Sequence, residues 1–180
     1  MPKSLSVRTT PLTVTMSPSL ASSVVVTSTS LVWSAADPEP FEELLRVFAD
    51  SFPLLHGGLT LHRVRDHSLL FHWKGRSSAD PVVLMAHLDV VPVDDATPWR
   101  HPPFGAEIHD GAIWGRGTLD DKGSLVAICA AVESLLESAF VPARDIWLSF
   151  GAREEVSGAD AVAAVEELVI DAAGIPLQVT

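Results

Sequence analysis

Apolar and polar residues alternate along the chain with the periods of helices and strands. Residues 37–53 predict a helix, because Asp37 is suited to cap its first turn and Pro53 to end it. The predicted buried face of this helix repeats at helical spacing and consists of Phe41, Leu44, Leu45 and Phe48. Residues 59–75 contain two strand-like segments separated near Asp66, which indicates a β-hairpin.

Strands and helices continue to alternate in the second half of the chain. A near-continuous apolar run at 81–94 is typical of a strand that is buried on both faces of a sheet. The other segments predict, in chain order, loops and turns at 99–117, a helix at 120–138, a buried strand at 144–155, a helix at 158–174 and the start of a strand at 175–180. This order favours an α/β fold with a largely parallel sheet.

Residues 1–36 differ from the rest of the chain. Lys3 and Arg8 precede a stretch rich in Ser and Thr, with weak periodicity, so we expect an irregular or disordered segment. Proline and serine interrupt its apolar centre, which makes it a poor signal peptide and slightly favours the cytoplasm, although a leader peptide remains the alternative. No apolar run approaches the roughly 20 residues of a membrane span.

Composition narrows the classes of ligand that this chain is suited to bind. The formal net charge of −11 argues against nucleic acids and anionic membranes as partners, because both require clustered Lys and Arg. It does not argue against a cation. Cys129 is the only cysteine, which excludes an internal disulfide and a thiolate zinc cluster. Any metal must therefore be held by His, Asp and Glu, while Cys129 itself is expected in the core.

Acidic residues and a histidine follow three apolar strands or turns. The pairs are His87 with Asp89, Asp120 with Asp121, and Glu154 with Glu155. In open α/β sheets the carboxyl ends of the strands form the edge where ligands bind. A His and a carboxylate two residues apart lie on one face of an extended chain, and such a carboxylate often orients a metal-binding imidazole. Each pair taken alone is also compatible with a solvated surface loop.

The sequence GRGTLDDKGS at 115–124 places Asp120 beside Asp121 at a glycine-rich turn. A phosphate-binding loop is excluded, because that motif requires Gly before its Lys and here Asp121 precedes Lys122. Two alternatives remain open. Acidic residues are favoured at a solvated helix N-terminus, and a carboxylate that bridges two cations would relieve the repulsion between the two charges.

No role is assigned to the remaining histidines, which are expected at the surface: His56, His62, His67, His72, His101 and His109.

Three blocks of sequence together resemble the M20 family, the aminoacylase/carboxypeptidase group of two-metal peptidases. They are MAHLDVVP, the segment from Trp99 to Ser124, and FGAREEVSGADA, and they are most similar to the carboxypeptidase S and N-acyl-amino-acid hydrolase branch. The resemblance implies a three-layer α/β zinc-peptidase-like catalytic domain with a mostly parallel sheet. It also implies two zinc ions, with cobalt or manganese as substitutes.

The resemblance also implies roles for individual residues. His87, Asp120 and Glu155 would bind metal, with Asp120 as the bridging carboxylate. Asp89 would orient His87, and Glu154 would be the general base that activates a water. The following Asp121 would shape the turn, where the Asp–Asp peptide of the family is often cis. The implied reaction is hydrolysis of an amide or peptide bond next to a free carboxylate, in a peptide or an N-acyl amino acid.

The chain also departs from the pattern of this family. A further carboxylate ligand, a late histidine ligand and a lid domain that mediates dimerisation would follow Thr180, so residues 37–180 would be the N-terminal portion of the catalytic domain. Ala152 and Arg153 replace the His-Asp usual in the branch. We therefore expect negligible activity from the isolated chain. A truncated, non-catalytic remnant with at most weak metal binding is the alternative, and the substrate side chain is not determined.

Overall fold

A four-stranded mixed sheet, with helices sharing its apolar core, organises the part of the chain that the computed structural model describes. The described residues are 39–64, 67–94 and 98–155. Their elements are α1 (Glu39–Ser51), α2 (Pro53–Gly58), β1 (Thr60–Val64), β2 (Ser68–Trp73), β3 (Val82–His87), β4 (Glu107–His109), β5 (Ala112–Trp114), α3 (Lys122–Glu137) and β6 (Ile146–Gly151). The expected cap Asp37, the segment 1–36 and the elements predicted at 158–180 lie outside the described residues.

The strand order of the sheet is β1-β2-β6-β3. The predicted hairpin is confirmed, since β1 and β2 pair antiparallel, and β2 also pairs antiparallel with β6. Among the described strands only β3 and β6 are parallel, and α3 lies in the connection between them, as a parallel crossover requires. The α/β class is confirmed. The described strands form a mixed sheet rather than a mostly parallel one, because the hairpin contributes two neighbouring antiparallel strands.

Helix α1 packs its predicted apolar face into the core. Phe41, Leu44, Leu45 and Phe48 are all buried, as their spacing predicted. The Phe48 ring meets Phe71 of β2 and Phe150 of β6 edge-on, with centroids 6.4 and 5.9 Å apart. Pro53 ends α1 and also begins α2, where a missing N–H costs nothing at the first helical position.

Strand β3 is an edge strand of the described sheet and is less buried than its apolar run predicted. Val82 is 39% exposed and Met85 is 48% exposed, so burial on both faces is wrong for its first half. Burial becomes nearly complete from Ala86 to Val90. The buried end of this segment is the one that carries His87 and Asp89.

Helix α3 packs one apolar face against the core. Leu125, Cys129 and Val132 are buried, Ile128 and Leu136 are partly buried, and Leu135 is exposed. Cys129 is fully buried, which confirms that it is a core residue, and this burial raises the pKa of its thiol. No helix among the described residues is long and apolar enough to cross a membrane.

A buried carboxylate on α3 holds the start of α2. The two oxygens of Glu133 accept hydrogen bonds from the backbone N–H groups of Leu54 and Leu55, each at 2.8 Å. The side chain is 4% exposed. The first N–H groups of a helix have no partner within the helix, and its N-terminus favours negative charge. Glu133 therefore fixes α2 against α3 by a contact between residues nearly eighty positions apart.

Replacing Glu133 by Gln tests this contact. The amide group of Gln would oppose one of the two N–H donors and leave it without a partner, so we expect the free energy of unfolding to fall by about 1–3 kcal/mol. Glu137→Gln, on the exposed side of the same helix, is the matched control and should change stability by less than about 0.5 kcal/mol. Urea unfolding followed by circular dichroism measures both. Equal stabilities of the two variants would contradict the role of Glu133.

Candidate metal centre

The three acidic and histidine pairs meet at one edge of the sheet. His87 ends β3 and lies opposite Gly151 of the parallel strand β6. The Leu88 N–H continues this pairing by donating to the Gly151 carbonyl at 2.7 Å. The carboxyl ends of β3 and β6 therefore lie side by side, so the residues that follow each strand are brought together. This is the arrangement that the strand-end pattern predicted.

The His87 imidazole is the centre of the cluster. Its Nδ1 donates to the Asp89 carbonyl at 3.0 Å and lies 3.4 Å from the Asp89 carboxylate. Its Nε2 lies 3.0 Å from Asp120 Oδ1 and 3.8 Å from Glu154 Oε2. The hydrogen bond with Asp89 is the main cause that raises the pKa of His87 to about 9; burial opposes it and Asp120 adds to it.

Asp89 holds the segment that carries both glutamates. Its carboxylate is fully buried, and its two oxygens accept hydrogen bonds from the backbone N–H groups of Glu154 at 3.1 Å and Glu155 at 2.9 Å. The sequence predicted contact between Asp89 and His87 but gave no sign of these two bonds. Asp89 therefore connects the end of β3 to the end of β6 as well as contacting the imidazole.

The two aspartates of the glycine-rich turn are both directed at His87. Asp121 Oδ2 accepts from the His87 backbone N–H at 3.3 Å, while Asp120 contacts the ring. The peptide bond between them is cis, in agreement with the resemblance. Asp121 also occupies the N-cap position of α3, but its side chain makes no capping hydrogen bond there. The contact that holds the Asp121 side chain is therefore the one with the His87 backbone and not a capping bond.

Lys122 is a component of this site that sequence reasoning missed. Its side chain is buried, and Nζ donates to the Leu88 carbonyl at 3.0 Å. Burial lowers its pKa to about 8, with the charge of Asp89 acting in the opposite direction. Gly117 allows this packing, because a Cβ there would lie 3.1 Å from Nζ and 2.5 Å from a Val90 methyl carbon. The sequence signal for this role was weak, because it consisted only of the position of Lys122 at the start of a helix with an apolar face.

Ligand atoms of His87, Asp120 and Glu155 all lie within 4.8 Å of one another. These are the three residues that the resemblance to the M20 family implied as metal ligands. Burial, together with the neighbouring acids Glu154, Asp120 and Asp89, raises the pKa of Glu155, and His87 opposes that shift. One imidazole thus faces several carboxylates, and a divalent cation would balance their charge. Imidazole and carboxylate donors in this number suit zinc and related metals, so the residues fit the metal that the resemblance implies.

The remaining carboxylate, Glu154, is more open than its neighbour. Its side chain is 59% exposed, whereas Glu155 is half-buried. The different roles expected of Glu154 and Glu155 stay a prediction. One of the six histidines expected at the surface is buried: the His67 ring stacks on Phe41 with centroids 5.0 Å apart.

Comparison with known proteins identifies the family. The model of peptidase family M20/M25/M40 matches residues 83–176. Probable carboxypeptidase S-like 2 of Dictyostelium discoideum is 45% identical over 119 residues, which cover 66% of this chain and 22% of that protein. The human N-fatty-acyl-amino acid synthase/hydrolase PM20D1 is 46% identical over 99 residues, covering 54% of this chain and 20% of that protein.

Solved structures agree with this result. Human carnosine dipeptidase 1 superposes with a TM-score of 0.62 at 25% identity, covering 85% of this chain and 34% of that one. The metallo-carboxypeptidase Sso-CP2 from Sulfolobus solfataricus has the same fold, with a TM-score of 0.61 at 24% identity over 78% of this chain and 32% of that one. The chain thus spans between a fifth and about a third of the proteins it matches. By sequence and by fold, the chain belongs to peptidase family M20/M25/M40.

Proposed function

We propose that this chain supplies metal ligands and the general base of a zinc-dependent hydrolase. The proposed substrate is a peptide or N-acyl amino acid whose scissile amide lies next to a free carboxylate. The observation that carries the proposal is the convergence of His87, Asp120 and Glu155 within 4.8 Å. Membership of a peptidase family supports hydrolysis. The names of the relatives, a carboxypeptidase and an N-fatty-acyl-amino acid hydrolase, support this substrate class.

His87, Asp120 and Glu155 would hold the metal. Asp120 is suited to bridge two ions, because its side chain is 81% exposed and its contact with the His87 ring is made through one of its two oxygens, Oδ1. When bound, zinc would lower the pKa of a water and polarise the scissile carbonyl. Cobalt and manganese accept the same donor types, so either is a reasonable substitute in a binding experiment.

Glu154 would accept the proton of the attacking water. Its carboxylate lies 3.8 Å from His87 Nε2, and its backbone is held by Asp89, so it is positioned next to the ligands without being one of the three. A general base must lie within hydrogen-bond reach of the proton it removes. The exposed Glu154 side chain can reach such a water, whereas Glu155 is directed into the ligand cluster.

Exchanging each glutamate for Gln separates the two roles. Glu155→Gln removes a ligand and should weaken zinc binding by at least roughly 100-fold, since even outer contacts are worth 10–100-fold. Glu154→Gln should leave zinc affinity nearly unchanged. Isothermal titration of the metal-free protein with zinc measures both variants, and Glu137→Gln controls for loss of a surface charge. Equal losses in the Glu154 and Glu155 variants would contradict the division of roles.

Removing the buried charge of Asp89 should disturb the centre indirectly. Asp89→Asn keeps the size of the side chain, but its amide group would oppose one of the two glutamate N–H donors. We expect zinc affinity to fall by about 10–100-fold. Asp50→Asn, at an exposed position on α1, is the matched control. Zinc affinity unchanged in Asp89→Asn would show that the two backbone bonds do not support the ligands.

Hydrolysis is best tested on the polypeptide that the gene encodes in full. Release of free amino acid from dipeptides and from N-acyl amino acids is followed with zinc present. Glu154→Gln should lower kcat by about 100- to 10,000-fold while the zinc content stays the same. Zinc binding without any hydrolysis in the unmodified protein would favour the non-catalytic remnant over the enzyme.

A further inference from the structure

A second group of potential metal ligands lies apart from His87, on the β4–β5 hairpin and the loop before it. It consists of His101, Glu107 and His109, whose ligand atoms lie within 4.8 Å of one another. The proposed hydrolase uses none of these residues, and sequence reasoning assigned them no role. Their side chains are 19%, 40% and 47% exposed, so solvent and ions have access to the group.

Local backbone structure explains why these three residues meet. Glu107 and His109 are two positions apart on β4, so both side chains project from the same face of the strand. His101 is returned to that face by a tight turn, in which the Gly105 N–H donates to the Pro102 carbonyl at 3.0 Å. The Arg116 N–H donates to the Pro103 carbonyl at 2.6 Å and fixes this turn to the end of the hairpin.

The segment at 99–117 was expected to be loop and turn, and the hairpin within it is what builds the group. Asp110 and Gly111 both have positive φ, of 52° and 75°, which is the backbone of a two-residue hairpin turn. The predicted tight turn is therefore confirmed, and it pairs β4 with β5. The pairing holds β4 extended, which keeps Glu107 and His109 on one face.

The distances between the ligand atoms suit a single metal ion. Glu107 Oε2 lies 3.3 Å from His101 Nδ1 and 2.8 Å from His109 Nε2. A tetrahedral zinc ion with ligands at about 2.0–2.1 Å separates neighbouring ligand atoms by about 3.3 Å. Both distances are therefore close to those of a bound state. The two imidazoles stack with centroids 4.1 Å apart and an angle of 19° between their planes, so one ring must rotate about its side-chain bonds for both nitrogen lone pairs to point at one ion.

Arg100 is a cation next to this group in the chain. Its guanidinium lies 5.5 Å from the centre of the Trp114 ring, on which its charge is partly offset. The Trp114 ring in turn packs against His101 with centroids 4.8 Å apart. Trp114 also donates from its indole N–H to the His109 carbonyl at 3.3 Å. The aromatic ring thus supports both histidines from one side and leaves Glu107 directed at their nitrogens.

We propose that His101, Glu107 and His109 bind one divalent transition-metal ion, zinc first among them, with a coordination position open to solvent. Two imidazoles and one carboxylate are a complete three-residue zinc set. The ion would take the place of the hydrogen bonds that Glu107 makes with the two imidazoles. It would tie the 98–105 loop to the hairpin that leads into the Asp120 turn. This site is independent of the proposed hydrolase function, because the two centres share no residue.

The test measures zinc stoichiometry by titration of the metal-free chain, followed by elemental analysis after gel filtration. In the double variant His87→Gln with Glu155→Gln, which disables the first centre, one equivalent of zinc should remain bound. Adding His109→Gln should remove that equivalent, and His101→Gln should do the same. His62→Gln, an exposed histidine on β1, is the matched control and should retain it.

A second readout covers the case in which the double variant fails to fold. In the otherwise unmodified chain, His109→Gln and His101→Gln should each bind one equivalent fewer than His62→Gln. Long-range ¹H–¹⁵N spectra of the imidazoles should show the His101 and His109 nitrogens shifting together on zinc addition. Equal stoichiometry in all three variants, or shifts confined to His87, would overturn the second site and leave the first centre unaffected.

Discussion

A buried carboxylate, that of Asp89, connects the two strands that carry the candidate metal centre. This carboxylate accepts hydrogen bonds from two backbone N–H groups in the segment after β6. The backbone carbonyl and the carboxylate of Asp89 also contact His87 at the end of β3. A buried charge is costly unless hydrogen bonds compensate it. Here the donors are the backbone N–H groups of Glu154 and Glu155. The hydrogen bonds that compensate the buried charge of Asp89 therefore also position these two glutamates.

The neighbouring backbone is held by a buried cation. Lys122 donates to the carbonyl of Leu88, the residue between His87 and Asp89, from the start of α3. The turn that precedes α3 contributes Asp120 and Asp121, both in contact with His87. Three parts of the chain thus converge on residues 87–89. The repulsion between two adjacent aspartates is relieved in the metal-free protein by the His87 side chain and backbone, and the same geometry leaves Asp120 exposed to a metal.

The family assignment rests on sequence comparison, whereas the candidate site rests on the geometry of the described residues, and the two results agree. The family match covers residues 83–176, and the described part of it includes all five residues nominated from the sequence, His87, Asp89, Asp120, Glu154 and Glu155. The relatives are several times longer than the segment they share with this chain. The hydrolase proposal therefore rests on the chemistry of the described residues, and the second centre rests on a different part of the chain altogether.

The sequence by itself predicted the local elements and the residues proposed for the first centre. Helix α1, the β1–β2 hairpin and the acidic strand ends follow from periodicity and turn residues, which act over a few positions. Tertiary structure decided the mixed strand order, the exposed edge of β3 and the partners of Glu133, Lys122 and Asp89. It also brought His101 to Glu107 and His109. These contacts join residues whose separation along the chain gives no periodic signal, from 6 positions for His101 and Glu107 to 79 for Glu133 and Leu54. These contacts depend on how whole elements pack. Packing removes polar groups from water, and the buried groups then form hydrogen bonds with each other.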